Sequence, residues 1–372
     1  MPGLDVPVEL GAEFIHGEAA ATHALLGEAG IAAVDSAREQ RYLERGRLRR
    51  MNAFVEAQRA ARHASPLKRD ISFAALLART RVSQRTKTFA RMMVQGFDAA
   101  DPARVSARSI IEEWAEGGSL GASQPRPQGG YGALFDWLAH SVVAHGARLR
   151  IDSPVRAVEW KRGNALVKGD AFAFRAKQVV VTLPLGVLQA HAVSFKPSLR
   201  IKSAALGKLA SGPVIRVAMR FHTRFWEARA PEIAFFHVPG APFPTFWTPL
   251  PLRAPLLTAW AGGPKAARLS GASKEKLVAA AIHTVEAAFH KEKPREQLDS
   301  ALVQDWQADA CSRGGYSYVL VGGEGARERL AEPLEDTLFF AGEATDAEEA
   351  GTVAGALRSG ERAAREVLKK GV

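Results

Sequence analysis

The residues best suited to chemistry lie near the end of the chain, between Phe339 and Arg365. A short apolar run ends at Ala341, an acidic stretch follows from Glu343, and Gly351 opens a helix rich in small residues. Small residues let a backbone approach a flat group closely, and a helix N-terminus presents N–H groups to an anion or an electron-rich ring edge. This order is typical of a nucleotide-cofactor site in an α/β protein, although an ordinary strand-to-helix crossover has the same spacing.

Three further blocks accompany this segment: VELGAEFIHG at residues 8–17, VVVTLPLGVL at residues 179–188, and Trp306 followed by RGGYSY at residues 313–318. Together the four blocks resemble motifs of the flavin-containing amine oxidases, the family of monoamine oxidases, polyamine oxidases and flavin-dependent histone demethylases. They occur in the family's order, which is a stronger signal than any single short pattern. A threonine at position 352, where monoamine oxidases carry tyrosine, is similar to the polyamine oxidase and demethylase branches.

The resemblance implies a mixed α/β fold in which a discontinuous, Rossmann-like FAD-binding domain carries an inserted substrate domain of sheet plus helices. We expect residues 1–18, 129–210 and 331–372 in the FAD-binding domain, and residues 19–128 and 211–330 in the substrate-binding domain. Family members begin with a strand, a G-x-G-x-x-G turn for the pyrophosphate and a helix. That pattern is absent from these 372 residues. We therefore expect an N-terminally truncated Rossmann unit, through a misplaced start codon, a shortened gene or loss of the cofactor.

The cofactor that the resemblance implies is FAD. A reduced flavin carries negative charge near N1, which the N-terminus of the last helix would stabilise. Binding is expected to be non-covalent, because Gly315 stands beside the cage tyrosine where monoamine oxidases carry the linking cysteine. The positions that match cofactor contacts are Glu13 and Phe14 at the flavin edge, Val155 near the adenine, Trp306 in the flavin pocket, Glu343 near the ribityl chain, and Thr352 and Val353 at the isoalloxazine ring.

Three residues match positions that act on the substrate or on oxygen. Tyr316 would form an aromatic wall that attracts a protonated amine through its ring. His16 matches a substrate-contacting histidine of polyamine oxidases, with a purely structural role as the alternative. Arg216 stands where relatives usually carry a lysine that holds a water against flavin N5. Arginine is bulkier and does not deprotonate, so weaker oxidase activity is expected, unless Arg216 is simply a surface strand residue.

The implied reaction transfers a hydride from the carbon beside an amine nitrogen to flavin N5, with a small-molecule amine as substrate. The imine would hydrolyse, and oxygen would reoxidise the flavin to give hydrogen peroxide. Two alternatives stay open from the sequence. One is a cofactor-deficient, non-catalytic remnant of an amine oxidase. The other is a related flavoprotein oxidoreductase with another substrate, such as a carotenoid desaturase or an amino-acid oxidase.

The composition excludes some classes of protein and makes some binding partners unexpected. One cysteine, Cys311, excludes a disulfide framework and Cys-rich metal sites. The chain lacks an apolar run of about 18 residues, so no membrane partner is expected and the cytoplasm is the predicted compartment. The net charge is +11, but the basic residues are scattered, so no nucleic-acid partner is expected. Their tightest cluster, Arg47, Arg49 and Arg50, is predicted to lie on a solvated helical face.

Periodicity places the elements that would position these residues. We expect a strand and turn over residues 6–15 and helices through most of residues 19–114. A helix is predicted over residues 131–144 and a β-meander over residues 148–177. Alternating and apolar runs at residues 214–221 and 256–260 predict a second sheet. A helix over residues 274–290, a strand over residues 338–341 and a helix over residues 352–370 complete the prediction.

Overall fold

The computed structural model describes residues 1, 4–64, 67–115 and 124–370, which form a mixed α/β fold. The helices within these residues are α1 Ala20–Glu28, α2 Ala53–Arg62, α3 Phe73–Arg79, α4 Gln84–Gly96, α5 Ala107–Ala115, α6 Gly130–Ala144, α7 Leu185–Gln189, α8 Ser203–Leu206, α9 Gly263–Leu269, α10 Lys274–Phe289, α11 Pro294–Gln297, α12 Ala326–Ala331 and α13 Val353–Lys370.

The strands within the same residues are β1 Ala33–Val34, β2 Glu39–Glu44, β3 Arg47–Arg50, β4 Arg126–Pro127, β5 Val155–Lys161, β6 Asn164–Gly169, β7 Ala173–Ala176, β8 Val179–Val181, β9 Ser194–Lys196, β10 Leu209–Gly212, β11 Val214–Phe221, β12 Ile233–His237, β13 Thr245–Trp247, β14 Leu256–Gly262, β15 Leu298–Asp305, β16 Tyr316–Val319 and β17 Leu338–Phe340.

The largest sheet has seven strands in the order β15-β11-β14-β13-β12-β2-β3. Its neighbours pair antiparallel, except that β12 and β2 run parallel. Side chains alternate between the two faces of a strand, so neighbouring residues serve different surfaces. Phe236 and Phe246 stack at 4.6 Å in a core that includes Phe289 of α10. The flanking residues Phe235 and Trp247 point the other way, towards Phe14.

A separate helical core covers this second face of the large sheet. It is built from α2 to α5 around Phe73, Phe89 and Trp114. A side chain caps the start of α4. The hydroxyl of Ser83 accepts a hydrogen bond from the backbone N–H of Thr86 at 3.0 Å. The Nε1 of Trp260 on β14 donates to the carbonyl of Gly96 at the end of α4, at 2.7 Å, and so joins the helical core to the sheet.

Two further sheets pack against each other, and β17 of one of them contacts α13. Strands β17 and β8 pair in parallel, and β7-β6-β5-β9 form a four-stranded sheet. An apolar cluster that includes Val158, Val181 and Phe340 packs between them. Phe339 faces the opposite way and contacts the cluster that contains Ala363 of α13. The strand that precedes the cofactor motif is therefore buried on both faces, as its continuous apolar run indicates.

Most predicted elements are present, and two are wrong. Residues 6–15 form an irregular loop instead of a strand. The arginine cluster at residues 47–50 lies on β3, which pairs with β2 as a hairpin and forms the edge of the large sheet, instead of on a helix. Arg49 pairs with Glu44 at 2.8 Å and Arg50 with Glu39 at 2.9 Å. These cross-strand ion pairs favour the hairpin, and the turn at Arg45 and Gly46, both with positive φ, closes it.

The chain just after α4 approaches β10 closely, which predicts a stability effect at Gly212, the last residue of β10. A Cβ atom there would lie 2.5 Å from the carbonyl oxygen of Ala99 and 2.7 Å from its Cβ. We expect Gly212→Ala to lower the free energy of unfolding by about 1–3 kcal/mol, measured by denaturant titration. Gly132→Ala is the matched control. It lies in α6 with open space around it and should be neutral or stabilising. Equal stabilities of the two variants would contradict the expected crowding.

Candidate active site

The loop at residues 9–17 carries three of the predicted site residues and is held by one buried carboxylate, Glu13. Its Oε1 accepts a hydrogen bond from Nε of Arg126 at 2.7 Å, and its Oε2 accepts one from Nε1 of Trp247 at 2.9 Å. The same Oε2 forms an ion pair with Arg216. Burial alone would raise the pKa of Glu13, but the charges of Arg216 and Arg126 and the bond from Trp247 outweigh it and lower that pKa. Glu13 is therefore ionised and fully engaged by protein groups.

Arg216 lies at the centre of the sheet face and is only 2 % exposed, so the alternative of a surface strand residue is wrong. Its Nη1 donates to the carbonyl of Gly11 at 3.0 Å, while Nη2 pairs with Glu13. The guanidinium thus clamps the loop onto β11. Its Nε has no hydrogen-bond partner within the described residues.

A small cavity lies beside this guanidinium. It has a volume of about 30 Å³, which is enough for one or two water molecules. Glu9, Glu13, Arg126 and Arg216 supply its charged lining. Burial raises the pKa of Glu9, against the opposing hydrogen bond from the backbone N–H of Tyr131. The cavity is therefore lined by two carboxyl groups of opposite pKa shift, Glu9 and Glu13, and by the Arg216 side chain.

Aromatic rings surround the end of the same loop. The Phe14 ring lies 5.6 Å from Phe235 and 5.8 Å from Trp247, and the His16 ring meets Phe97 edge-on at 5.2 Å. The Nδ1 of His16 is buried and has no partner among the described residues. Burial lowers the pKa of His16 to about 4, so the imidazole is neutral near pH 7. The structure brings His16 to an aromatic wall with one ring nitrogen available for a hydrogen bond.

Tyr316 joins this wall to the start of α13. Its hydroxyl donates to the carbonyl of Phe97, and its ring lies 3.4 Å from where a Cβ of Gly351 would stand. Gly351 adopts a φ of +72°, so a side chain there would be both strained and crowded against the ring. Burial raises the pKa of Tyr316 well above its usual value, with the charge of Asp98 as a further cause. Tyr316 therefore stays protonated.

Glu343 links β16, the strand that carries Tyr316, to the start of α13. Its carboxylate accepts hydrogen bonds from the Ser317 N–H at 3.1 Å, the Ser317 hydroxyl at 2.6 Å and the Gly351 N–H at 3.0 Å. Thr352 caps the helix, because its Oγ1 accepts from the Gly355 N–H at 3.0 Å. Val353 is the first residue of α13. Glu343, Thr352 and Val353 thus belong to one compact unit beside Tyr316.

The other two predicted residues have different positions. Trp306 donates from Nε1 to the carbonyl of Leu10 at 2.8 Å, and its ring lies 3.3 Å from where a Cβ of Gly11 would stand. Trp306 therefore holds the residue 9–17 loop at Leu10 and Gly11. Val155 belongs to the apolar cluster that also contains Val158 and Val181. The sequence did not predict roles for Arg126, Trp247 or Phe97, because their contacts with Glu13 and Tyr316 join segments that are far apart in the chain.

These groups fit the ring half of a flavin. The buried Nδ1 of His16 and Nε of Arg216, both unpartnered within the described residues, are polar atoms that a bound cofactor, its substrate or a water molecule would satisfy. The 18-residue helix α13 begins beside Tyr316 and would place its positive end at such a ring. A model of the family described as "Flavin containing amine oxidoreductase" matches residues 1–368.

The chain belongs to the flavin-containing amine oxidoreductase family. This membership confirms the predicted family and FAD as cofactor. The human lysine-specific histone demethylase 2 is 30 % identical over 248 residues, which are 64 % of this chain and 29 % of that protein. Polyamine oxidase 4 of Oryza sativa subsp. japonica is 31 % identical over 252 residues, or 65 % of this chain and 50 % of that protein. The chain therefore spans only part of these relatives.

Solved structures of related flavoenzymes share the fold. Putrescine oxidase, in its wild-type form bound to putrescine, superposes with a TM-score of 0.79 at 20 % identity, over 97 % of this chain and 88 % of that one. Cyclohexylamine oxidase from Brevibacterium oxydans IH-35A gives 0.79 at 18 % identity, over 98 % and 88 %. The predicted mixed α/β fold of an amine oxidase is thereby confirmed. Among the described residues, no helix is long and apolar enough to cross a membrane.

The Glu13 network predicts a large loss of stability when the carboxylate is removed. Glu13→Ala leaves the buried guanidinium of Arg216 and the largely buried one of Arg126 without their counter-charge, and should lower the free energy of unfolding by about 3–5 kcal/mol. Glu44→Ala is the control, because it removes an ion pair whose side chains are 56 % and 40 % exposed, and it should cost less than about 1 kcal/mol. Denaturant unfolding measures both. A loss at Glu13 no larger than at Glu44 would contradict the clamp.

The buried histidines predict a loss of stability in acid. His237 on the same sheet is 2 % exposed, and burial lowers its pKa to about 4, as for His16. The ordinary value is 6.5, so the unfolded chain binds more protons between pH 6.5 and 4. Stability should therefore fall as pH drops through this window, by about 1.4 kcal/mol per pH unit for each histidine. His237→Gln should reduce that slope, while His283→Gln, whose side chain is 81 % exposed, should not. An unchanged slope in His237→Gln would contradict the burial effect.

Proposed function

We propose that this chain is an FAD-dependent enzyme that oxidises the C–N bond of an amine to an imine. The observation that carries the proposal is the placement of Tyr316 against Gly351, at the start of the helix that would face the flavin. His16 and Phe97 continue the same wall. An aromatic surface beside a hydride acceptor can attract an amine and hold its reacting carbon in position for hydride transfer.

Each residue of the wall has a defined part in this proposal. When bound, FAD supplies a hydride acceptor at N5. Tyr316 stays neutral and positions the substrate through its ring, and its hydroxyl is held by the Phe97 carbonyl. His16, neutral with an unpartnered Nδ1, offers a hydrogen bond to the amine without adding a repelling charge. The aromatic side chains exclude water from the reacting carbon.

We further propose oxygen as the electron acceptor, hydrogen peroxide as the product and a non-covalent flavin. Cys311 is exposed and free, four positions from Gly315, which supports non-covalent binding. Arg216 differs from the lysine of relatives because both terminal nitrogens are engaged by Gly11 and Glu13. Only its Nε is left to hold a water, so reoxidation should be slower than with a free ammonium group.

The substrate class is also part of the proposal. Among the relatives, the histone demethylase is named for a protein substrate, and the polyamine oxidase is named for a small molecule. We favour a small-molecule amine. The loop, the helical core and the sheet each contribute a ring to the wall around His16, and rings this closely spaced suit a small ligand. The FAD-binding segments 1–18, 129–210 and 331–372, the substrate-binding segments 19–128 and 211–330, and the role of Val155 at the adenine stay proposals.

The experiment is purification with added FAD, followed by an anaerobic and then an aerobic amine assay. We expect visible flavin absorbance that bleaches with amine and recovers with oxygen, with peroxide released. Tyr316→Leu should lower kcat/KM about tenfold by removing the ring, whereas Tyr316→Phe keeps the ring and should keep most of the activity. A folded, colourless protein without amine-dependent peroxide would support the non-catalytic alternative and contradict the proposal. Oxidation of a substrate other than an amine would favour the other flavoprotein class.

A further inference from the structure

A second concave site, which we call the arginine cleft, lies between the edge hairpin of the large sheet and the helical core. Its volume is about 560 Å³, within the range of about 300–1,000 Å³ that is usual for small-molecule sites. None of its lining residues belongs to the aromatic wall, so the proposed amine chemistry does not use it. Among the described residues, the lining consists of Tyr42, Glu44, Arg49, Arg50, Met51, Glu56, Arg59 and Arg85.

The charge of this lining is mainly positive. Four arginines outnumber two glutamates, which leaves two positive charges in excess. The side chains of Arg49, Arg59 and Arg85 are 56 %, 53 % and 53 % exposed, so a ligand can reach their guanidinium groups. Arg49 and Arg50 belong to the arginine cluster that stands out in the sequence, and the fold adds one arginine from α2 and one from α4. The cleft therefore gathers basic side chains that the sequence separates, which favours an anionic ligand.

A buried carboxylate holds two of these arginines in place. Glu56 is 3 % exposed and accepts a hydrogen bond from the hydroxyl of Thr86 at 2.7 Å. Nη1 of Arg59 lies 3.0 Å from Oε2 of Glu56, and Nε of Arg85 lies 3.6 Å from its Oε1. Glu56 thus aligns guanidinium groups from α2 and α4 beside the same cleft. Ordering these side chains before a ligand arrives lowers the entropy cost of binding.

Ion pairs order the hairpin side of the cleft as well. Nε of Arg49 lies 2.8 Å from Oε2 of Glu44, and Nη2 of Arg50 lies 2.9 Å from Oε2 of Glu39. A guanidinium carries N–H donors on all of its nitrogens, so an arginine that is paired with one carboxylate keeps donors for a second anion. The carboxylates therefore orient the arginines without using up their capacity to bind.

The excess charge and the size of the cleft define the ligand. Guanidinium forks match the oxygens of phosphate groups, and two linked phosphates can engage arginines from the hairpin and from the helices together. A nucleic acid would need a longer basic stripe than these residues form. We propose that the arginine cleft binds a small molecule that carries a diphosphate group, either inorganic pyrophosphate or a nucleoside diphosphate. This site is separate from the proposed amine oxidation and does not depend on it.

The test is isothermal titration calorimetry on the FAD-loaded protein after removal of excess FAD, which itself carries a diphosphate. The probes are inorganic phosphate, inorganic pyrophosphate and ADP at constant ionic strength. We expect pyrophosphate and ADP to bind about tenfold more tightly than phosphate, because both of their phosphate groups are engaged. Tighter binding of ADP than of pyrophosphate would identify a nucleotide as the ligand, and equal or weaker binding would identify the diphosphate group alone.

Substitutions locate the binding in the cleft. Arg59→Gln and Arg85→Gln should each weaken pyrophosphate binding about tenfold by removing one guanidinium. Arg85→Lys keeps a positive charge beside Glu56 but loses the fork; it should weaken binding about threefold and serves if Arg85→Gln does not fold. Arg200→Gln is the matched control, because it removes one exposed arginine outside the cleft and should leave the affinity unchanged.

Three outcomes would overturn the arginine cleft as a diphosphate site. The first is no saturable binding of pyrophosphate or ADP to the wild type. The second is an equal loss of affinity in Arg200→Gln and Arg85→Gln, which would show a general attraction of anions to a basic surface. The third is tighter binding of a single-stranded oligonucleotide than of either small probe, which would indicate a nucleic-acid surface instead.

Discussion

One buried carboxylate, Glu13, sets the geometry on which the site depends. Its three partners, Arg126, Arg216 and Trp247, lie 113, 203 and 234 residues away along the chain, on three different strands. A buried charge is tolerated only when its partners are complete, so the loop that carries Glu13 has one favourable position on the sheet. Phe14 and His16 follow Glu13 closely in that loop, and their place in the aromatic wall is a consequence of it. The ion pairs of Glu13 therefore position the aromatic wall, and packing of its rings completes it.

Sequence patterns correctly predicted the helices and strands whose own residues determine their structure. The helices α6, α10 and α13 and the strands β11 and β14 were predicted because their periodicity and their flanking residues agree. The hairpin of β2 and β3 was not predicted, since its arginines also suit a solvated helix and only pairing across the turn with Glu39 and Glu44 decides the structure. The loop at residues 6–15 has strand-like composition, but it does not pair with a neighbouring strand. Its Glu13 carboxylate binds the Arg126 side chain, and its Glu9 carboxylate accepts from the backbone N–H of Tyr131.

The candidate site could be predicted as a set of positions but not as a network. Motif order pointed to Tyr316, Glu343 and Thr352, and the structure brings them together around Gly351. The roles of Glu13 and Arg216 could not be read in advance, because their pairing joins segments that no periodicity connects.

The edge strand β3 has a consequence for how copies of this chain meet in solution. A sheet edge offers unpaired backbone groups to any passing strand, which is a common route to aggregation. Here the edge carries Arg47, Arg49 and Arg50, all exposed. Two such edges would have to bring rows of like charge together, and the repulsion opposes pairing. The positive charge of these arginines thus opposes extension of the large sheet beyond β3.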